Sequence, residues 1–224
     1  MKRFALYILL LGASHCAFAQ KDTLQALEIS INPGMNYRLI AAKNQELSWL
    51  KDIQDSLQKP SAGIGIQINH EFGICEKRSY FMGIAYSRQG YEYKKNSLEG
   101  FRSYALHHQF IQFPIGFNLY YRMNERLRLA IQPSLLTGAL IASTASYVQQ
   151  GDQATRKMET YPQSVAISLH AQLAAGFIAR IDQNWKFRAN VVYQQQLKAM
   201  GQGDLHVRLF TAGLQFALVR SLGN

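Results

Sequence analysis

Hydrophobic and polar residues alternate with a period of two along most of this chain. In the stretch WKFRANVVYQQQ, Trp185 and Phe187 fall on one face, and Lys186 and Arg188 fall on the other. Successive side chains of an extended backbone point to opposite sides, so this pattern predicts a β-strand. The same alternation predicts eight strands, at residues 27–38, 62–72, 80–93, 109–121, 127–147, 165–181, 185–196 and 205–219.

The connections between these strands alternate in length. Those after the second, fourth and sixth strands are short (GICEKRS, RMNER and DQN), and the others are long, at residues 39–61, 94–108, 148–164 and 198–204. Short turns on one rim, long loops on the other and an even strand number are typical of outer-membrane barrels. The sequence therefore predicts an all-β, eight-stranded, antiparallel up-and-down transmembrane β-barrel with both termini in the periplasm.

The composition of the two faces indicates which one meets lipid. One face is aliphatic or aromatic, and the other consists mainly of Gln, Asn, Ser, Gly and Thr with scattered charges. Aromatic residues near the strand ends predict two interfacial belts, formed by Phe72, Tyr80, Tyr121 and Trp185 at the short turns and by Tyr37, Tyr91, Tyr147 and Tyr193 toward the long loops. A soluble lipocalin-like carrier of a small apolar ligand is the alternative, with the apolar face inside and a broadly charged exterior. The polar face here suits a packed interior better than a water-facing surface.

The amino terminus predicts export. Lys2 and Arg3 precede an apolar run, and the small residues Ala17 and Ala19 follow it, so we expect a signal peptide at residues 1–19 and a barrel domain at 20–224. The predicted leader contains two of the 24 basic residues and none of the 14 acidic ones, which leaves the remainder at about +8. In an exported protein, this charge favours anionic lipid or lipopolysaccharide as a neighbour over nucleic acid. Cys75 is the one cysteine after the leader, so no internal disulfide is expected.

Polar residues on the predicted inner face form a candidate site. An eight-stranded barrel is just wide enough for its side chains to fill, so we expect a hydrogen-bonded plug without a cofactor. The predicted interior polar cluster consists of Gln67, Asn69, Glu71, Gln112, Asn118, Gln132, His170, Gln172, Arg180, Arg188, Asn190, Gln194 and Gln215.

The arrangement of Ser, His, Cys and acidic residues along the chain favours neither a catalytic site nor a metal site. Ser168 and His170 share a face and Glu71 shares the lumen, which permits a lipid-modifying hydrolase as an alternative. Residues two apart on a strand lie about 6 to 7 Å apart, beyond direct hydrogen-bond reach. His107 and His108 point to opposite faces, and no paired Cys or acid cluster accompanies them, so we expect neither catalysis nor a metal site.

The first long connection contains a separate candidate, a docking segment for a partner. In ELSWLKDIQDSLQ, apolar residues recur at helical spacing, which predicts a short amphipathic helix over the barrel mouth or on the membrane surface. The residues of this docking segment are Leu47, Trp49, Leu50, Ile53 and Leu57.

One region resembles a known family. The stretch QFIQFPIGFNLYYRMNERLRLAIQPSLLTG, residues 109–138, has a strand with the motif-like core Phe113, Pro114, Ile115 and Gly116, then a tight basic turn and a strand that ends near a Gly. This order resembles the outer-membrane β-barrel family of Bacteroidetes that includes the PorT-like proteins. The resemblance implies an integral outer-membrane protein, and a role in protein secretion for some members.

These observations predict an integral protein of the outer membrane with a structural, adhesive or secretion-accessory role and no enzymatic activity. Its expected partners are outer-membrane lipid, lipopolysaccharide and a periplasmic or secretion-system protein. No nucleic-acid motif is present, because the basic residues alternate with a lipid-facing surface.

Overall fold

The computed structural model describes residues 25–42, 58–75, 77–96, 101–149, 155–160, 166–198 and 205–222. These ranges contain ten strands: β1 (Gln25–Ala42), β2 (Gln58–Lys59), β3 (Ser61–Cys75), β4 (Arg78–Asn96), β5 (Phe101–Arg122), β6 (Leu127–Gln149), β7 (Arg156–Thr160), β8 (Ala166–Arg180), β9 (Trp185–Gln196) and β10 (Leu205–Ser221). The predicted signal peptide and the docking segment lie outside the described residues. Within the described ranges, no helix is long and apolar enough to cross a membrane.

Eight of the strands close into a ring. They follow the order β1, β3, β4, β5, β6, β8, β9 and β10, and every neighbouring pair is antiparallel. The ring closes where β1 pairs with β10, from Ala26 opposite Ser221 to Ala42 opposite Leu205. The predicted eight-stranded antiparallel transmembrane barrel is therefore confirmed. The short strands β2 and β7 pair with β4 and β6 beyond the last paired residues of β3 and β8.

Two of the short turns are fixed by polar side chains in the sequence. The Asp182 carboxylate accepts the backbone N–H groups of Asn184 and Trp185, each at 2.7 Å. In the turn between β5 and β6, the Asn124 side-chain oxygen accepts the N–H groups of Arg126 and Leu127, at 2.9 and 2.8 Å. Asp and Asn stabilise tight turns in this way because their short side chains replace a backbone acceptor. We call this rim of the barrel the short-turn end and the opposite rim the long-connection end.

The apolar face of the strands lies on the outside of the barrel. Ile115 is 60% exposed and Val191 is 65% exposed, whereas Gln112 and Arg188 are fully buried in the lumen. Because the side-chain period is two, a slip of one residue would turn every polar side chain toward lipid. The register is therefore set by the sequence. The lipocalin-like alternative required the apolar face inside, and the structure places it outside.

Six strands of the ring extend farther than the sequence predicted, and the largest extension is at the β4–β5 hairpin. We expected a loop at residues 94–108, but β4 continues to Asn96 and β5 begins at Phe101. In this hairpin Tyr93 lies opposite Tyr104, and such same-face aromatic pairs stabilise a sheet. The strand β5 has 22 residues, whereas about 9–11 suffice to cross a membrane. The hairpin therefore extends beyond the membrane at the long-connection end, as does β6, which also pairs with β7 there.

Two tyrosines of the predicted belt toward the long loops, Tyr91 and Tyr147, face the lumen instead. Tyr91 is buried, because it shares a face of β4 with the inward residues Ser87 and Gln89. Tyr147 lies opposite Tyr104, whose ring packs against that of Tyr93 inside the barrel. Other members of the belt lie on the outer surface: Tyr37 stacks on Phe210 with ring centroids 5.0 Å apart, and Tyr193 packs against the same ring.

The lumen is filled in three zones. Ala26, Ala130, Ile178 and Val219 form a small apolar cluster at the short-turn end, and Tyr120 packs against it. At the long-connection end, a larger apolar cluster contains Tyr91, Phe110, Leu209, Tyr93, Tyr104, Leu106, Leu140 and Val207. The polar side chains of the candidate site lie between these two clusters. Space is tight enough that a Cβ on Gly116 would lie 2.6 Å from Phe81 and Ser134.

Candidate functional site

The structure buries twelve of the thirteen residues of the predicted interior polar cluster. These are Gln67, Asn69, Glu71, Gln112, Asn118, Gln132, His170, Gln172, Arg188, Asn190, Gln194 and Gln215. Arg180 is the exception and corrects the prediction. It is the last residue of β8, at the rim beside the short turn, and is exposed to solvent.

The centre of the cluster is a buried ion-pair network around Arg188. Its guanidinium pairs with the Glu28 carboxylate and, at 3.4 Å, with the Glu71 carboxylate. It also donates to the Tyr120 hydroxyl at 2.8 Å, and that hydroxyl donates to Glu71 at 2.5 Å. Arginine suits this position because its planar fork offers several donors at once and stays charged. We call Glu28, Glu71, Tyr120 and Arg188 the arginine network.

Neighbouring amides and hydroxyls hold the two carboxylates in place. The Asn69 amide donates to Glu28 at 3.0 Å, and Gln67 donates to Asn69 at 2.8 Å. Ser79 donates to Glu71 at 2.6 Å, and Asn118 donates to Ser79 at 3.1 Å. Glu28 thus accepts hydrogen bonds from Arg188 and Asn69, and Glu71 accepts them from Arg188, Ser79 and Tyr120, so neither buried carboxylate lacks donors.

The arginine network crosses the lumen from wall to wall. Arg188 lies on β9, whereas its partners lie on β1, β3 and β5. In the ring, β9 and β5 are separated by β8 and β6 on one side and by four strands on the other. The Arg188 side chain therefore blocks the passage near the short-turn end.

The middle of the lumen is polar but incompletely paired within the protein. Asn190 donates to Gln215 at 2.8 Å, and Ser87 donates to Gln112 at 3.0 Å. Among the described residues, several buried polar atoms have no protein partner, including both side-chain polar atoms of Gln132 and the amide nitrogens of Gln172 and Gln194. A cavity of about 30 Å³ adjoins the two amide nitrogens, which is room for about two water molecules.

A second charged site lies nearer the long-connection end. The Arg38 guanidinium lies 4.4 Å from the centroid of the Tyr91 ring and 4.4 Å from that of Tyr93. It donates to the Tyr93 hydroxyl at 2.5 Å and to the Gln58 side-chain oxygen at 3.3 Å. We call Arg38, Gln58, Tyr91 and Tyr93 the arginine cage.

The predicted cluster omitted Glu28, Tyr120 and Arg38. The sequence already placed Glu28 and Arg38 on the polar face of the first strand and Tyr120 on that of the fourth. The signal was thus present in the alternation, but the partners could not be assigned. Glu28 and Arg188 are 160 residues apart in sequence and lie on strands separated by β10.

Ser168 and His170 do not form a catalytic pair in this arrangement. Both are buried in the lumen, and neither the Ser168 hydroxyl nor either ring nitrogen of His170 has a hydrogen-bond partner. The His170 ring packs edge-on against Phe110, with centroids 5.4 Å apart. A serine needs a base within hydrogen-bond reach to become a nucleophile, and no such bond joins these two residues.

No metal site is visible in the described part of the chain, where no three His, Cys, Asp or Glu side chains come together. His107 and His108 occupy successive positions of β5. His108 lies 2.8 Å from the Ser143 hydroxyl through its Nδ1 atom, whereas His107 Nδ1 has no hydrogen-bond partner.

Comparisons with known proteins match the fold. No known protein family matches the sequence. No curated protein matches it either. The outer membrane protease OmpT from Escherichia coli superposes with a TM-score of 0.51 at 9% identity, over 91% of this chain and 98% of that one. Ail, the attachment invasion locus protein of Yersinia pestis, gives 0.40 at 13% identity, over 87% and 99%. Neisserial surface protein A gives 0.42 at 10% identity, over 87% and 96%. At these identities the likeness concerns the fold alone, which is that of an outer-membrane β-barrel.

Proposed function

We propose that this protein is an integral outer-membrane barrel with a closed lumen that acts through its long-connection end, in a structural, adhesive or secretion-accessory role. The observation that carries the proposal is the arrangement of the two faces. Aliphatic side chains cover the outside, and the arginine network spans the inside. An aliphatic outer surface is stable in hydrocarbon, and a lumen filled by side chains is too narrow for a general pore.

The long-connection end is the surface we assign to partner contact. The strands β4, β5 and β6 extend beyond the membrane there, and β7 widens their sheet. The opposite rim consists of tight turns that offer little surface. We expect the short turns and both termini to face the periplasm, as they do in outer-membrane barrels generally.

The proposed neighbours follow from charge and location. Outer-membrane lipid surrounds the barrel, and the positive net charge of the chain favours lipopolysaccharide phosphates. A periplasmic or secretion-system protein is the third proposed partner, and the resemblance of residues 109–138 to PorT-like proteins supports it. The docking segment remains the candidate contact, although it lies outside the described residues.

Fractionation followed by gel electrophoresis tests the membrane location. The protein should be found in the outer-membrane fraction and should need detergent for extraction. Unheated in SDS it should migrate as a compact species and shift to its full apparent mass after boiling, because a closed ladder of strands resists SDS. A folded monomer that stays in solution without any detergent would contradict the proposal.

Planar bilayers test the closed lumen. We expect the purified protein to insert without steady ion current, because Arg188 and its partners fill the passage. A protein reconstituted with Arg188→Ala is the matched comparison, and we expect it to conduct, since two unpaired carboxylates would draw water and cations into the lumen. Steady current through the unmodified protein would contradict the plug.

The lipid-modifying enzyme is the alternative that Ser168 and His170 suggest, because they share a buried face. It predicts that His170→Ala abolishes a change in outer-membrane lipid while the barrel still folds. The proposed function predicts identical lipid A and phospholipid profiles in cells with either version. Mass spectrometry of extracted lipids separates the two.

A further inference from the structure

Arg38 is a buried cation that has no acidic partner among the residues that the structure describes. Its side chain is 4% exposed, yet no carboxylate of the described residues forms an ion pair with it. The contrast with Arg188 is direct, since that equally buried arginine pairs with two carboxylates. A buried charge ordinarily has a counter-charge, because its removal from water is costly.

The arginine cage satisfies only part of the Arg38 guanidinium. Its Nε atom donates to Gln58 and its Nη1 atom to Tyr93, but Nη2 has no hydrogen-bond partner and is fully buried. The two tyrosine rings stabilise the positive charge from the side through cation–π contact. They cannot accept the in-plane N–H groups of Nη2. The Nη2 edge of the guanidinium can therefore still donate to an acceptor.

Further unpaired donors lie deeper in the lumen than the cage. Asn36 shares the inward face of β1 with Arg38, two residues farther into the lumen, which is about 6 to 7 Å along the strand. Its amide nitrogen has no partner, and its oxygen accepts a hydrogen bond from Thr211 at 2.6 Å. Asn36 lines the luminal cavity together with Gln112, Gln172 and Gln194, whose amide nitrogens are also unpaired. Unpaired donor nitrogens therefore outnumber unpaired acceptor oxygens around this cavity. Asn32 supplies one unpaired acceptor oxygen there.

We propose that Arg38 and Asn36 form a binding site for an oxyanion, the carboxylate, phosphate or sulfate group of a ligand that enters from the long-connection end. The anion supplies the counter-charge that Arg38 does not find among the described residues, and it accepts hydrogen bonds from Nη2 and from the Asn36 amide. Arginine is suited to this because its planar donors match an oxyanion with two acceptor oxygens. Tyr91 and Tyr93 hold the guanidinium in position. The site does not depend on the proposed cellular role, because it uses only residues inside the folded barrel.

The test is an anion titration of the refolded barrel in a zwitterionic detergent. Acetate, inorganic phosphate and sulfate are titrated separately at constant ionic strength, with chloride as the balancing ion. The readout is the Nε–H resonance of Arg38 in nitrogen-labelled protein, assigned from its loss in Arg38→Gln. We expect at least one oxyanion to shift this resonance saturably, and the three probes to rank the kind of group that the site prefers.

Three variants define the result. Arg208→Gln is the matched control, because Arg208 lies opposite Leu39 on β10 but is exposed. It should bind the anion as the unmodified protein does, with the melting temperature as a common readout. Arg38→Gln should bind at least about tenfold more weakly, as expected for loss of a charge-assisted hydrogen bond. Asn36→Ala should weaken binding and leave the charge in place.

The outcomes are separable. The heat-modifiable band shows in each case whether the barrel has folded, so a folded barrel that shows no saturable shift with any of the three probes overturns the site alone. Equal binding by Arg38→Gln and Arg208→Gln also overturns it. If Arg38→Gln does not fold, Arg38→Lys replaces it, because lysine keeps the charge and loses the planar fork. Unchanged affinity in Arg38→Lys together with unchanged affinity in Asn36→Ala then counts against the proposal.

Discussion

At the scale of single residues, the arginine network concentrates the most consequential charges of the described molecule. A buried ion pair contributes little net stability when it is complete, because desolvation offsets the attraction between the charges. Removing one partner is different, because it leaves the other charge buried and unpaired. Arg188 pairs with both Glu28 and Glu71, so its loss leaves two buried carboxylates without a cation.

Arg188→Met should therefore destabilise the barrel strongly. We expect a loss of about 3–5 kcal/mol in the free energy of unfolding, the range for a broken buried pair. Urea unfolding of the protein in lipid vesicles measures it. Arg220→Met is the control, because Arg220 is exposed near Trp185 on the neighbouring strand and should cost below about 1 kcal/mol. Equal losses in the two variants would mean that the network is not a stability determinant.

The sequence predicted which residues would be luminal but not how they pair. The side of each strand follows from a period of two, and the structure buries Gln67, Asn190 and Gln215. Pairing depends on the strand order around the ring and on register between distant strands. The Arg188–Glu28 contact spans 160 residues, and no local pattern encodes such a distance. Arg180 was wrongly assigned to the interior, because the alternation gives the face of a strand but not how near a residue lies to the rim.

At the scale of elements, β5 combines the two environments of the barrel within one strand. Its outward residues Ile111, Phe113, Ile115, Phe117 and Tyr121 are exposed, and its inward residues Gln112 and Asn118 are fully buried. Pro114 lies within this strand opposite Leu136, although proline is usually kept to strand ends or edges. The pairing with β6 continues through Pro114, whereas the pairing with β4 is interrupted between Gln112 and Ile115.

Charge on the outer face of β5 should cost more at the centre of the membrane than at its edge. Ile115→Arg places a cation about midway between Tyr121 and the extended hairpin, where we expect a loss of about 2–4 kcal/mol. Tyr121→Arg, near the short-turn interface, should cost about 0–1 kcal/mol. Unfolding in vesicles compares the two substitutions on one face of one strand. A larger loss at position 121 would reverse the inferred depth of β5.

The ends of the strands were harder to predict than their faces. Residues 94–108 are rich in polar and charged side chains, which favoured a loop, yet Tyr91, Tyr93, Tyr104 and Leu106 continue the alternation. Where a sheet extends out of the membrane, it no longer needs an apolar outer face. Polar residues in that part of the sequence therefore do not distinguish a strand from a loop. The tyrosines instead mark the inward face, where Tyr91 and Tyr93 flank Arg38.

At the scale of the whole molecule, the two ends of the barrel differ in reach and should differ in exposure to the cell exterior. Cys75 is a free, exposed thiol at the short-turn end. If the short turns face the periplasm, a membrane-impermeant maleimide should label Cys75 only after the outer membrane is permeabilised. A Cys75→Ser, Lys157→Cys variant moves the thiol to β7, where Lys157 is exposed, and should be labelled in intact cells. The reverse pattern would establish the opposite orientation.

The pairing of β1 with β10 joins the first strand of the ring to the last one in the chain. That seam forms only after every other strand has been synthesised and exported, so two unpaired edges persist throughout assembly. In hydrocarbon such edges are not tolerated, because their backbone groups have no water to bind. We therefore expect both edges to be covered until the C-terminal strand arrives, and a chain that ends before β10 to be degraded by proteases.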